Sequence, residues 1–240
     1  MAAAARVAGP DAAVPSCPDW VVRDLVRHQG GVHRWATSIV ATPRTEPWNV
    51  DLDEVVGTWP DDADLLAWFN AGVGALTTAL TQADPGLTCW TFLPGPSPLA
   101  MWARRQAHET SVHGVDAELA ARGPVTPFPV EFAADGVGEL LEGFVPRGGR
   151  LRSEPERTLR VRCADAAAAW HVSIGPDCVR TATGDDAEEA AAAPADCEVA
   201  GTAEDLYLAL WNRRQADSLR VTGDPGVLDL FLNCVNIRWS

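Results

Sequence analysis

The chain has 240 residues, 47% hydrophobic and 22% charged, with a mean hydropathy of −0.06, which is the composition of a folded globular protein. Its 33 acidic against 19 basic residues give a net charge of −14, a field that repels polyanions and argues against nucleic-acid binding. No apolar run approaches the roughly 20 residues that span a bilayer, and MAAAARVAGP (1–10) lacks the basic leader and apolar core of a signal peptide, so neither a membrane nor a secretory role is expected.

In chain order, residues 1–10 read as a frayed Ala-rich tail. A first helix is expected from Pro18, with Ser16 or Cys17 before it and Asp19 in its first turn, where negative charge suits the helix dipole. At about 100° per residue, Val21, Leu25, His28, Val32, Trp35 and Ile39 share one stripe. Residues 42–60, broken by three prolines, read as a long loop. A second helix runs from Asp62 to Gln82, a Pro/Gly-rich crossing covers 84–98, and a third helix spans Leu99 to Arg122 before Gly123-Pro124. A fourth is expected from Val130 to Phe144. Helices joined by long connections, with no internal repeat, predict a bundle over residues 1–150.

The segment PRGGRLRSEPER (146–157) reads as a solvated linker, although its arginines could also bind an anion. Beyond it, from 156 to 240, the periodicity changes. Residues 158–164, 169–174 and 178–183 alternate as strands, with a turn at Gly175-Pro176-Asp177. The acidic stretch 184–195 reads as a loop. A strand near 197–200, a helix opened by Thr202 with Asp205 at the capping-box position, a strand at 218–222 and a helix from Pro225 complete a small α/β domain. The fold class is therefore α+β.

The third helix carries His108-Glu109 and His113, reading H-E-x-x-x-H, one residue longer than the zincin H-E-x-x-H. His108 and His113 lie about 140° apart around the helix, whereas Glu109 and His113 lie about 40° apart and share a face. Arg105, Gln106 and Asp116 fall near that face, beside Trp102 and Val112, which is unusually polar for a core-facing helix. His28 is the matching polar residue on the first helix, with His33 toward its flank. His28, Glu109 and His113 could form a three-ligand, zinc-type site with an open position. Equally, His28 could be a hydrogen-bonded core histidine and Glu109 the partner of Arg105.

The runs PSCPDWVVRDLVRHQGGVHRW (15–35) and MWARRQAHETSVHGVDAE (101–118) resemble the mycothiol-dependent maleylpyruvate isomerase family, a branch of the DinB-like metalloproteins. GTAEDLYLALWNRR (201–214) and LRVTGD (219–224) resemble that family's C-terminal domain. The resemblance implies a DinB-like four-helix bundle followed by an α/β domain, with a divalent metal such as Zn2+ on His28, Glu109 and His113. It also implies mycothiol, a low-molecular-weight thiol used by actinobacteria, as cosubstrate. A metal-bound thiol loses its proton. In the family's namesake reaction the thiol adds to a cis double bond of a small electrophilic acid, the bond rotates, and elimination gives the trans isomer. Transferase relatives keep or exchange the thiol.

Asp116 could orient His113, although its i,i+3 spacing favours a partner on another helix. Arg213 and Arg214 could hold an anionic part of the thiol or simply complement a helix C-terminus. The tryptophans, seven of ten before residue 103, could line a pocket or form core, and His171, alone in a strand pattern, reads as structural. Six cysteines without a C-x-x-C pair read as reduced thiols of a cytoplasmic monomer or homodimer. Thiol-independent metal-hydroxide hydrolysis or lyase chemistry, and a non-catalytic regulatory metal site, are the alternative functions.

Overall fold

In the first turns of the chain the alanines do more than fray: Ala2–Ala8 form α1, with Ala5 buried. The computed structural model describes residues 1–48, 50–183 and 194–237 and divides the chain into two units, Met1–Thr126 and Pro127–Ser240. In the first unit a hairpin of β1 (Ala13–Val14) and β2 (Cys17–Val21) follows α1 and leads directly into α2 (Val22–Ala41). The helix therefore begins four residues later than Pro18, because Cys17–Val21 is drawn into antiparallel pairing with β1. Asp24 rather than Asp19 closes its first turn, its Oδ2 accepting from Val21 N–H at 3.0 Å.

A short α3 (Leu52–Val56) interrupts the first long connection, and α4 (Asp62–Gln82) has the bounds its periodicity predicts. Helix α5 (Pro98–Ala120) has Pro98 at its start, and Ser97 Oγ accepts from Ala100 N–H at 3.1 Å. α2 packs against α4 and α5, and α1 packs along α5. Two glycines permit the close approach of α2 and α4. A Cβ on Gly30 would stand 2.1 Å from the Trp68 ring, and one on Gly72 would stand 2.6 Å from the Arg34 guanidinium. Arg34 lies 3.7 Å over the Trp68 ring and donates to Gly30 O and Trp68 O at 2.9 and 2.8 Å. Ala5, Val14, Leu25, Val26, Leu65, Phe69 and Ala117 form one apolar core of this unit.

Among the described tryptophans, Trp102, Trp170 and Trp211 are buried and the others half-buried. Trp35, Trp90, Phe92 and Trp102 pack edge to face, with Trp35 and Trp102 centroids 5.1 Å apart. Trp102 is fully buried, and its indole N–H reaches Trp90 O at 2.9 Å, which ties the Pro/Gly-rich crossing to α5.

The second unit begins with α6 (Val130–Gly138), continued by a π-helical turn, Glu139–Phe144, and a short 3-10 turn, Val145–Arg147. The helical stretch expected to close the bundle thus belongs to the second unit, where α6 packs on α7 (Ala203–Leu210), and the Trp211 indole N–H donates to Gly136 O at 3.0 Å. The boundary expected at 150–156 falls inside this unit. Its sheet has the order β5-β4-β3-β6-β7, with β3 (Arg157–Cys163), β4 (Ala169–Ile174), β5 (Val179–Thr183), β6 (Cys197–Gly201) and β7 (Arg220–Gly223). β3 and β6 are parallel neighbours and the other pairs antiparallel. Thr202 caps α7, accepting from Asp205 N–H at 3.1 Å, and α8 (Pro225–Cys234) is capped by Asp224. Nearly all of the acidic 184–195 stretch lies outside the described residues. No helix among the described residues is long and apolar enough to cross a membrane, and all six cysteines are unbridged. The chain is α+β, a helical unit followed by a mixed α/β unit.

Candidate metal centre

Along α5 the buried residues include Arg105, Gln106, His108, Glu109, His113 and Asp116, a row of polar groups where a packed helix normally carries hydrocarbon. Four residues of helix bring Glu109 and His113 to the same face, and α2 supplies His28 opposite them. One ligand atom from each of His28, Glu109 and His113 lies within 4.8 Å of the others. Glu109 Oε1 stands 3.5 Å from His28 Nε2 and 3.3 Å from His113 Nε2.

Those separations fit a shared ion. Tetrahedral ligands at about 2.1 Å from zinc are separated from one another by about 3.4 Å. His28 Nε2 and Glu109 Oε1 are buried and have no hydrogen-bond partner. Two orphaned buried atoms facing each other are costly unless something else satisfies both. Two imidazoles and one carboxylate are a donor set suited to zinc or a similar divalent ion.

The surroundings orient these donors. Asp116, fully buried, accepts from His113 Nδ1 at 2.8 Å, so that Nε2 faces His28 and Glu109. Asp116 is thus in contact with His113, the partner the sequence offered for it, although i,i+3 spacing favoured one on another helix. Ser16, in the turn between β1 and β2, donates its hydroxyl to Asp116 Oδ1. Arg105 donates to Glu109 Oε2 at 2.7 Å, so the Arg105 pairing and the three-residue cluster coexist. Trp20 on β2 lies against both imidazoles, with centroids 4.9 Å from His28 and 6.2 Å from His113.

Burial alone would raise the Glu109 carboxyl; Arg105 and the two histidines outweigh it and hold Glu109 well below the usual carboxylate range. Burial would likewise lower His113, but its hydrogen bond to Asp116 and the charges of Glu109 and Asp116 raise it. A divalent ion would therefore compete with a proton at His113. His33, the flanking histidine, is outside the cluster. Its Nε2 meets Gln29 Nε2 at 2.8 Å and Thr110 Oγ1 at 2.9 Å, and burial pushes its pKa down to about 4. His108 is buried on α5 and is also outside the cluster.

In the second unit, Arg213 donates to Trp211 O at 2.7 Å, and Arg214 pairs with Glu204 and Asp205. Arg214, four residues beyond the end of α7, thus meets that helix's acidic first turn. His171 on β4 is buried, in keeping with a structural part. Sequence reasoning did not assign Ser16 or Trp20 individually to the site. Ser16 is 100 residues from Asp116, and only the β1–β2 hairpin brings the two together.

Comparison with protein families matches residues 1–118 to the mycothiol maleylpyruvate isomerase N-terminal domain and residues 131–230 to the C-terminal domain of the same family. Comparison with curated proteins finds no match. Among solved structures, one described as "UbiJ-SCP2 Ubiquinone synthesis protein" aligns with 45% of this chain and 92% of its own, at 21% identity and a TM-score of 0.31. The two domain matches, in order and covering most of the chain, show that it belongs to the mycothiol maleylpyruvate isomerase family.

Proposed function

We propose that this member of the family is a cytoplasmic, divalent-metal-dependent isomerase that uses mycothiol to convert a maleylpyruvate-like cis acid to its trans isomer. The observation that carries the reading is the buried convergence of His28, Glu109 and His113, with His28 Nε2 and Glu109 Oε1 lacking hydrogen-bond partners. His28 and His113 would hold the ion through Nε2 and Glu109 through Oε1. When bound, the ion would supply the positive charge that ionises a thiol of free pKa about 8.5, and the thiolate the nucleophile for reversible addition.

The remaining residues prepare that site. Asp116, backed by Ser16, holds the His113 proton on Nδ1 and leaves Nε2 as a lone-pair donor. Trp20 covers one side of the two imidazoles and keeps water from it. Six unbridged cysteines accord with a reducing compartment.

The test is mycothiol addition to the cobalt-substituted full chain, followed by maleylpyruvate turnover. A thiolate-to-metal charge-transfer band, with cis acid converted to trans, is the expected result. Thiol binding with no turnover would move the proposal to another electrophile or to thiol transfer. A cobalt protein that gives no thiolate band with any cellular thiol would overturn it in favour of metal-hydroxide chemistry or a regulatory site.

A further inference from the structure

Glu109 divides its two oxygens between different partners. Oε2 accepts from Arg105 at 2.7 Å, in a pair whose side chains are only 2% and 6% exposed. Oε1 faces His28 and His113 and accepts no hydrogen bond. Both residues of the ion pair stand on α5, one helical turn apart, so their relation is set by the helix. A carboxylate can bind a cation through one oxygen or chelate it through both, and chelation consumes a second coordination position. Turning Oε2 away from Arg105 would give up a charge-assisted hydrogen bond in a buried setting, where such bonds are strongest.

We propose that Arg105 is a positioning residue that restricts Glu109 to single-oxygen coordination through Oε1, keeping a position beside the three ligands open for the sulfur nucleophile. The inference rests on the metal reading above and adds the residue that sets coordination number. Arg105 touches neither thiol nor substrate in this role. It acts through Glu109.

The experiment compares the full wild-type chain with Arg105→Met and Arg105→Lys, each loaded with cobalt(II). Ligand-field absorption reads coordination number, because its intensity drops when a fourth position gives way to a fifth. Titration with 2-mercaptoethanol reads access of a thiol to the metal. Arg105→Met should still take up cobalt, show weaker ligand-field bands, and lose about tenfold or more in thiol affinity. Arg105→Lys, which keeps the charge without the planar fork, should recover part of both signals. Wild-type band intensity and thiol affinity in Arg105→Met would overturn the proposal. X-ray absorption of the zinc-loaded wild-type chain decides the matter without any variant. A carboxylate bound through one oxygen supports the inference, and a chelating carboxylate overturns it alone. A wild-type chain that takes up no metal overturns the metal reading and the inference together.

Discussion

The two units differ in where they bury paired charge. The helical unit has surface pairs too, Arg23 with Asp11 and Asp62, but it also holds pairs inside: the Arg105–Glu109 side chains are 2% and 6% exposed, and those of His113–Asp116 are 8% and 0%. In the α/β unit the described pairs lie near or at the surface, as with Arg180–Glu156 at 63% and 47% and Arg160–Glu198 at 18% and 24%. Its interior is built from side chains such as Leu159, Val161, Ile174, Val199, Leu206 and Phe231. Burying charge costs several kcal/mol per ion even after relaxation, and stability alone rarely repays it. The helical unit therefore carries a polar interior whose cost the ion proposed above would offset. The α/β unit is packed mostly from hydrocarbon, with Glu139 and His171 as buried polar residues.

The sharpest way to break that contrast is to remove the cluster. His28→Ala, Glu109→Ala and His113→Ala should each abolish stoichiometric uptake of zinc, measured by metal analysis after dialysis. His33→Ala and His108→Ala should retain it. Zinc at 100 times its dissociation constant should stabilise the wild type by about 2.7 kcal/mol in thermal melts, and the three ligand variants should lose that gain. Metal loss in His33→Ala or His108→Ala, with retention in His28→Ala, would move the site to another face of α2 and α5.

Buried histidines extend the comparison to pH. His33 is held at about 4 in the folded chain against an ordinary value of 6.5, because burial disfavours its charged form. The unfolded chain binds a proton at His33 first as pH falls. The stability contribution is therefore intact above pH 6.5 and is lost as pH drops toward 4. A shift of this size corresponds to about 3 kcal/mol. Urea titrations across this range should show a shallower decline in His33→Gln than in the wild type. His171 in the α/β unit is also shifted down by burial, with Arg160 adding to the effect, so its replacement should flatten the decline in the same direction.

Asp116→Asn keeps the shape of the side chain and removes its charge. Metal affinity should fall by about 10- to 100-fold while the circular dichroism stays that of the wild type. An unchanged affinity would show that packing alone orients His113. The smallest effect belongs to the surface of the second unit. Arg180→Ala should alter unfolding free energy by about 1 kcal/mol or less, since exposed pairs are screened and hold two mobile side chains. A loss comparable to that of a core substitution would erase the distinction between the units.

Much of the architecture was legible in the chain itself. The apolar period marked α4 from Asp62 to Gln82, Thr202 announced α7, and Pro225 announced α8. These signals are local: a cap, a proline and a repeat of about 3.6 residues act within a few turns of backbone. The same periodicity placed Glu109 and His113 on one face and identified His28 as the polar residue in the stripe of α2. Family resemblance implies the same three residues as metal ligands.

Other features depended on partners distant in sequence. Cys17–Val21 became a strand because β1 pairs with it, and the Ala-rich start became a helix because α5 gives it a surface to cover. Val130–Phe144 has the pattern of a bundle helix, but it packs on α7 within the second unit. An apolar face records that it will be buried without recording against what. The same limit held at the site. Helical spacing determined which side chains share a face; only tertiary structure brought Ser16 to Asp116, laid Trp20 on the imidazoles, and left Oε1 of Glu109 facing His28 without a hydrogen bond.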